Sequence, residues 1–314
     1  MTADTTLHLG LDLGGTNVKW AVVAASGGTW RMLDHGQVPT DAAGGPASVV
    51  PQLVALARDG VAREPAIATV GLGIPGLYLP DAGEILFFPN VPGDWRNVPV
   101  ARPIADATRL PVALINDARA FGLAELRLGA GRGAETIVGY TLGTGIGGVV
   151  CVGGRVHQGF RGTAGELGHM TIDPDGPLCG CGNRGCVEAY ARADRLAAAC
   201  GAPTAEEALR RAAAGDPQAA AGVAEVGRYL GIGLANAIVA LTPDRIVLGG
   251  GIAASGTLLI DHIRAEIRRR VRITDAERIG IVLAELGTWA GAIGAAVHGA
   301  EAAAGRSIRP GAAA

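Results

Sequence analysis

Two stretches of this chain share one pattern: an apolar run that reads as a strand, a turn of glycine and threonine, and a second apolar run. Residues 7–13 and 18–23 flank Gly14-Gly15-Thr16-Asn17, and residues 136–142 and 149–152 flank Gly143-Thr144-Gly145-Ile146-Gly147-Gly148. Glycine at such a turn lets the backbone approach a bound group and aims successive N–H donors at it, a concavity suited to phosphate oxygens. The second turn matches G-x-G-x-x-G but leads from strand to strand, where a dinucleotide fingerprint leads from strand to helix. The match at residues 71–76 fails likewise, because Pro75 and residues 77–81 do not open a helix. Two copies about 130 residues apart predict two lobes of like topology whose turns face one ligand. At 314 residues the chain is long enough for two cores, since single cores stop growing at about 250–300 residues.

Between and after the turns, alternating strand and helix signals indicate an α/β chain. Helices are expected over residues 48–58, 118–128, 187–199, 205–214, 216–240, 256–270 and 288–303. Further strands are expected over 67–73, 111–115, 245–248 and 279–284. The strand at 111–115 ends in Asn116-Asp117, a carboxylate where a helix begins; in open α/β sheets that position faces the ligand crevice, although Asp is also an ordinary N-cap there. The Phe88–Trp95 segment is an aromatic and proline-rich loop.

Residues 159–188 place two glutamates, one histidine and three cysteines within thirty positions. Cys179, Cys181 and Cys186 are spaced C-x-C-x4-C with His169 ten positions upstream, which is the ligand set of a closed structural zinc site. Such a site leaves no open coordination position, so the metal would shape a loop and hold Glu166 and Glu188 for another task. Cys151 and Cys200 sit in apolar surroundings and read as buried thiols of a reducing compartment.

A net charge of −2 with 18% charged residues gives no reason to expect nucleic acid or an anionic membrane as partner. No apolar stretch is expected to reach the roughly 20 residues that span a bilayer, and a cytoplasmic location is expected. Lys19 is the only lysine.

The motifs DLGGTNVK (12–19), ND (116–117), LGTGIGG (142–148), GTAGELGH (162–169), CGCGNRGCVE (179–188) and VLGGG (247–251) together resemble the ROK family of bacterial sugar kinases, nearest its glucokinases. The resemblance implies an actin-like (ribonuclease H-like) two-lobe sugar kinase fold with an interlobe cleft. The lobes would comprise residues 1–117 with 290–314, and 118–289 with the zinc loop. It implies Asp117 as catalytic base and Asn90, Asn116, Asp117, Glu166, His169 and Glu188 as sugar contacts. Gly14, Gly15, Thr16, Lys19, Thr144, Gly145 and Gly249, Gly250 and Gly251 would cradle ATP, with Asp12 near Mg2+. His169, Cys179, Cys181 and Cys186 would hold structural Zn2+. A homodimer or higher homo-oligomer is implied too. The family usually reads NDAN with a third glycine after the second turn, where this chain has Arg119 and Val149; Arg119 would bring a cation near the expected cleft.

Transfer of the ATP γ-phosphate to a hexose, glucose first, with N-acetylglucosamine, N-acetylmannosamine, mannose or fructose behind it, is the function the resemblance implies. Asn, Glu and His side chains suit a polyol, whose hydroxyls both donate and accept. Among competing classes, a sugar-responsive repressor is expected to carry a DNA-binding domain ahead of the first strand, where only six residues precede Leu7. A non-catalytic sugar sensor would not need Asp117.

Overall fold

The computed structural model describes residues 5–88 and 91–305, the side chain of Arg161 apart. The chain divides into two compact units, one of Met1–Arg132, Gln158–Thr163 and Thr288–Ala314, the other of Gly133–His157 and Ala164–Gly287.

In the first unit, β1 (Thr6–Leu13), β2 (Asn17–Ser26) and β3 (Thr29–Pro39) form an antiparallel meander. Then come α1 (Pro46–Arg63), β4 (Ile67–Ile74), a small sheet of β5 (Leu77–Leu79), β6 (Glu84–Phe87) and β7 (Val98–Pro99), α2 (Ala101–Thr108), β8 (Val112–Asn116) and α3 (Asp117–Arg127). β4 and β8 add in parallel to β1, giving the order β3-β2-β1-β4-β8. The second unit repeats the scheme. β9 (Ile137–Leu142), β10 (Ile146–Val152) and β11 (Arg155–Val156) form the meander. Four helices follow, α4 (Val187–Ala191), α5 (Ala193–Ala199), α6 (Ala205–Ala213) and α7 (Pro217–Leu241), then β12 (Arg245–Gly249), α8 (Thr257–Arg270) and β13 (Gly280–Leu283). Here β12 and β13 run parallel to β9, in the order β11-β10-β9-β12-β13. Equal order and equal strand sense in both sheets constitute the duplicated α/β fold that the two glycine turns predict, and it is the actin-like fold that the resemblance implies.

The last helix, α9 (Ala290–Ala303), returns to the first unit and seats directly on its sheet. Gly10 on β1 and Gly71 on β4 leave no room for a Cβ, because the carbonyls of Ala292 and Ala295 on α9 occupy that space. Gly294 in turn presses on the Ala120 carbonyl of α3. The unit boundary therefore falls at Arg132 and not at Asp117: α3 packs against α9 and belongs with the first sheet, an arrangement backed by the half-buried Arg127–Glu301 ion pair at 2.7 Å.

Each unit has its own core, one built on Leu9, Leu11, Leu53, Leu72 and Ile104, the other on Val138, Tyr140, Leu230, Ile246 and Ile263. By length and composition α7 is apolar enough to cross a bilayer, contrary to expectation. Its Val223, Val226, Leu230, Leu234 and Ile238 are buried in the second core, which accounts for that character without a membrane. Cys151 and Cys200 are both buried thiols.

Candidate active site

In the first unit the candidate residues collect at the carboxyl edge of the parallel strands. Register places Asp12 beside Gly73 and Gly73 beside Ile115; Asn116 closes β8 and Asp117 opens α3. Gly73 has no side chain to screen Asp12 from the strand beyond it. Burial first, and the Asp117 charge second, push the Asp12 carboxyl up to about 7, against the pull of Lys19. Lys19 is the residue paired with Asp12 across β2. Gly291 at the start of α9 abuts the same carboxylate, where any Cβ would overlap its oxygens. A raised carboxyl with one lysine for company suits a hard dication such as Mg2+, whose charge favours its ionised form.

Asn116, not Asp117, is the N-cap of α3. Its Oδ1 accepts the N–H groups of Ala118 at 3.1 Å and Arg119 at 3.3 Å, so its amide donors remain for a ligand. Asp117 is exposed at the first helical position, with Oδ1 accepting the Ala118 N–H at 2.8 Å. Arg119 does not reach solvent: it is 2% exposed within the first unit. Its charge pulls down the pKa of the buried Tyr78 phenol, although burial raises it by more. Gly14, Gly15 and Thr16 form the turn between β1 and β2, braced by Thr40, which donates from Oγ1 to the Gly14 carbonyl at 2.7 Å and from its N–H to the Thr16 carbonyl at 2.8 Å. Asn90 lies outside the described residues.

In the second unit the other candidates form one block. The turn between β9 and β10 is shorter than the sequence suggests, because Ile146, Gly147 and Gly148 already pair with Leu142, Thr141 and Tyr140. Val149 fills a buried strand position opposite Gly139. Gly249 ends β12, and Gly250 and Gly251 follow it beside that turn. Gly250 has φ 89°, and its backbone packs on that of Leu142, which leaves glycine the only residue that fits. A 3₁₀ turn at Leu167–His169 carries His169, with the exposed Glu166 just ahead of it.

The four candidate metal ligands converge. The ligand atoms of His169, Cys179, Cys181 and Cys186 all lie within 4.8 Å of one another. Cys181 and Cys186 sulfurs are 3.7 Å apart, and His169 Nδ1 is 3.6 Å from the Cys179 sulfur. Tetrahedral zinc, with Zn–S near 2.3 Å and Zn–N near 2.0–2.1 Å, requires separations of about 3.8 Å and about 3.6 Å, whereas a disulfide closes to about 2.05 Å. Burial pushes the Cys186 thiol up to about 12, with the neighbouring thiols adding to the shift; a dication among the sulfurs reverses this, because coordinated thiols ionise. The loop is braced by Tyr190, whose hydroxyl donates to Asp173 at 2.7 Å while its ring stacks on Tyr229 with centroids 4.1 Å apart.

Glu188, the second residue of α4, points its Oε2 at the Ile146 N–H at 2.8 Å and its Oε1 at the Cys179 sulfur at 3.7 Å. The same Oε2 would lie 2.8 Å from a Cβ on Gly145. Part of the demand for glycine at 145 is therefore internal, from this carboxylate. Sequence reasoning missed Gly73 and Gly291 beside Asp12, Thr40 beneath the first turn, and the Ile146 N–H as anchor of Glu188. None carries a local signature, since each acts through a partner distant in the chain.

The ROK family model matches residues 8–300. The glucokinase of Halalkalibacterium halodurans is 32% identical over 312 residues, covering 91% of this chain and 93% of that protein. Among solved structures, the ROK hexokinase from Thermus thermophilus superposes with a TM-score of 0.84 at 38% identity, covering 96% of this chain and all of that one. A ROK glucokinase from Streptomyces griseus, solved with glucose and AMPPNP, gives 0.75 at 33% identity, covering 94% and 99%. With that match spanning nearly its whole length, and relatives above 30% identity over nine-tenths of it, this chain belongs to the ROK family.

Proposed function

We infer that this chain is an ATP-dependent sugar kinase that transfers the γ-phosphate of ATP to a hexose hydroxyl, with glucose as the first substrate. The observation that carries the reading is Asp117. It is an exposed carboxylate at the carboxyl edge of the parallel strands β1, β4 and β8, beside Asn116 with its amide donors available, in a chain of this family. Phosphoryl transfer needs positioning and charge stabilisation more than covalent chemistry. Asp117 accepts the proton of the attacking hydroxyl as its oxygen bonds to the γ-phosphorus and ADP leaves, a role worth about 10²–10⁴ in rate.

Asn116, Glu166, His169 and Glu188 supply donors and acceptors for the remaining hydroxyls. His169 faces the cysteine sulfurs through Nδ1, which leaves Nε2 for the sugar; a bound metal would also fix that tautomer. The turns at Gly14–Thr16 and Thr144–Gly145, with Gly249 to Gly251 and Lys19, cradle the nucleotide. Mg2+ held near Asp12 would spread the charge of the phosphates, and zinc would fold the loop without entering the chemistry. A cytoplasmic homodimer or larger homo-oligomer belongs to the same reading.

A coupled ADP-release assay with ATP and glucose, mannose, fructose, N-acetylglucosamine or N-acetylmannosamine, beside a sugar-phosphate assay with polyphosphate as donor, tests it. Turnover with ATP, fastest on glucose, is expected. Absence of ADP release with every sugar would leave a sensor in place of an enzyme.

A further inference from the structure

Glu188 joins two parts of the second unit that otherwise have separate tasks. One oxygen accepts the Ile146 N–H at 2.8 Å, at the exit of the glycine turn, and occupies the space beside Gly145. The other lies 3.7 Å from Cys179, itself 3.6 Å from His169 Nδ1. The helix that carries Glu188 is capped by another member of the cluster, Cys186, so the position of the carboxylate follows from where that cysteine is held. Arg192, paired first with Asp194, also faces the charges of Glu188 and Cys179, which offsets the gathering of negative groups. Backbone contacts run the same way: Ala193 donates to the Gly143 carbonyl at 2.8 Å, and Gly168 packs on the Ile146 carbonyl.

We propose that Glu188 is a positioning residue that locks the glycine turn to the metal loop, so that loss of zinc weakens nucleotide binding as well as sugar binding. The proposal rests on reading Thr144–Gly145 as part of the nucleotide cradle. A turn this rich in glycine has many conformations open to it, and a carboxylate bonded to its backbone selects one. With the metal gone, Cys179 and Cys186 are released, the start of α4 loosens, and the carboxylate no longer holds the Ile146 N–H in place.

The test is calorimetric titration of ADP, in magnesium buffer, into wild type and Glu188→Ala, each before and after zinc is stripped by a chelator, with zinc measured by elemental analysis. Wild type should carry about one zinc per chain, as one four-ligand set requires, and stripping should raise its ADP Kd about tenfold, the scale of one lost charge-assisted hydrogen bond. Glu188→Ala should keep its zinc, show the raised Kd from the start, and respond to stripping by less than about twofold, because the link is already cut. Glu188→Gln, which retains an acceptor for the Ile146 N–H, should restore the wild-type Kd to within about threefold. Gly145→Ala, which displaces the carboxylate, should behave like Glu188→Ala, and these two variants carry the test if Glu188→Ala does not fold by circular dichroism. An ADP Kd in wild type that ignores zinc, or an equal zinc effect in wild type and Glu188→Ala, overturns the proposal. A zinc-loaded wild type that neither binds ADP nor releases it from ATP with any hexose refutes the kinase reading itself, which is a different result.

Discussion

Asp117→Asn is the substitution that separates chemistry from binding. The amide keeps the shape and the contact to the Ala118 N–H but cannot take a proton. kcat should fall by about 10²–10⁴ while the sugar Kd stays within a few-fold, as read by calorimetry beside the kinase assay; an active Asp117→Asn protein would remove the base from the mechanism. The gathering of His169, Cys179, Cys181 and Cys186 was legible because their residue types and spacing carry a ligand pattern in themselves, and the place of Asp117 at a strand end followed from the apolar run before it. The cap of α3 was less so, since Asn and Asp are both good N-caps and only the backbone shows that Asn116 holds the post. Arg119 is buried in a helix that is buried on every side from Ala118 to Leu126, a burial its charge alone does not announce.

At the scale of elements, the parallel strands and the long helices followed from apolar runs and their period. The exceptions have physical reasons. β3 is an edge strand with no fully buried residue, and the alternation of its half-buried positions is interrupted at residues 33–35 beside a bulge, so it lacks a continuous period-2 signal. The alanine-rich run 187–199 reads as one helix but breaks at Arg192, where ψ is 167°. The next N–H, from Ala193, is spent on the Gly143 carbonyl, a tertiary bond invisible to local pattern. The seat of α9 is a further case: Gly10 and Gly71 look like strand weaknesses and are contact points. Gly71→Ala should therefore cost at least about 2 kcal/mol, because its methyl meets rigid backbone. Gly280→Ala on β13, whose nearest neighbour would be 3.7 Å from the new carbon, should change stability by less than about 0.5 kcal/mol. Urea midpoints of the two variants check this, and equal values would mean that α9 shifts to make room.

For the molecule as a whole, the duplication was readable from two glycine turns, whereas the unit boundary was not, because α3 sits between both halves in sequence and only its packing on α9 assigns it. The same helix makes the first unit acid-sensitive. His298 on α9 is buried, and burial lowers its pKa from 6.5 to about 4, against a backbone contact at Leu114 that raises it. The unfolded chain therefore binds this proton at higher pH than the folded one does. The contribution is whole above pH 6.5 and is lost as pH falls toward 4, by on the order of 3 kcal/mol. The stability difference between wild type and His298→Gln, measured by denaturant unfolding, should shrink across that window; a constant difference would place the acid sensitivity elsewhere.

The return of α9 also bears on how the chain is made. The strands of the first sheet leave the ribosome early, yet the helix that covers Gly10 and Gly71 is translated only after the whole second unit. At about 5–20 residues per second, the first sheet waits roughly ten to thirty seconds with one face open, while the second unit, nearly contiguous in sequence, has all its parts in hand. The half that is synthesised first is thus the half that is finished last, and for that interval its bare face is the part of the nascent protein most in need of a chaperone.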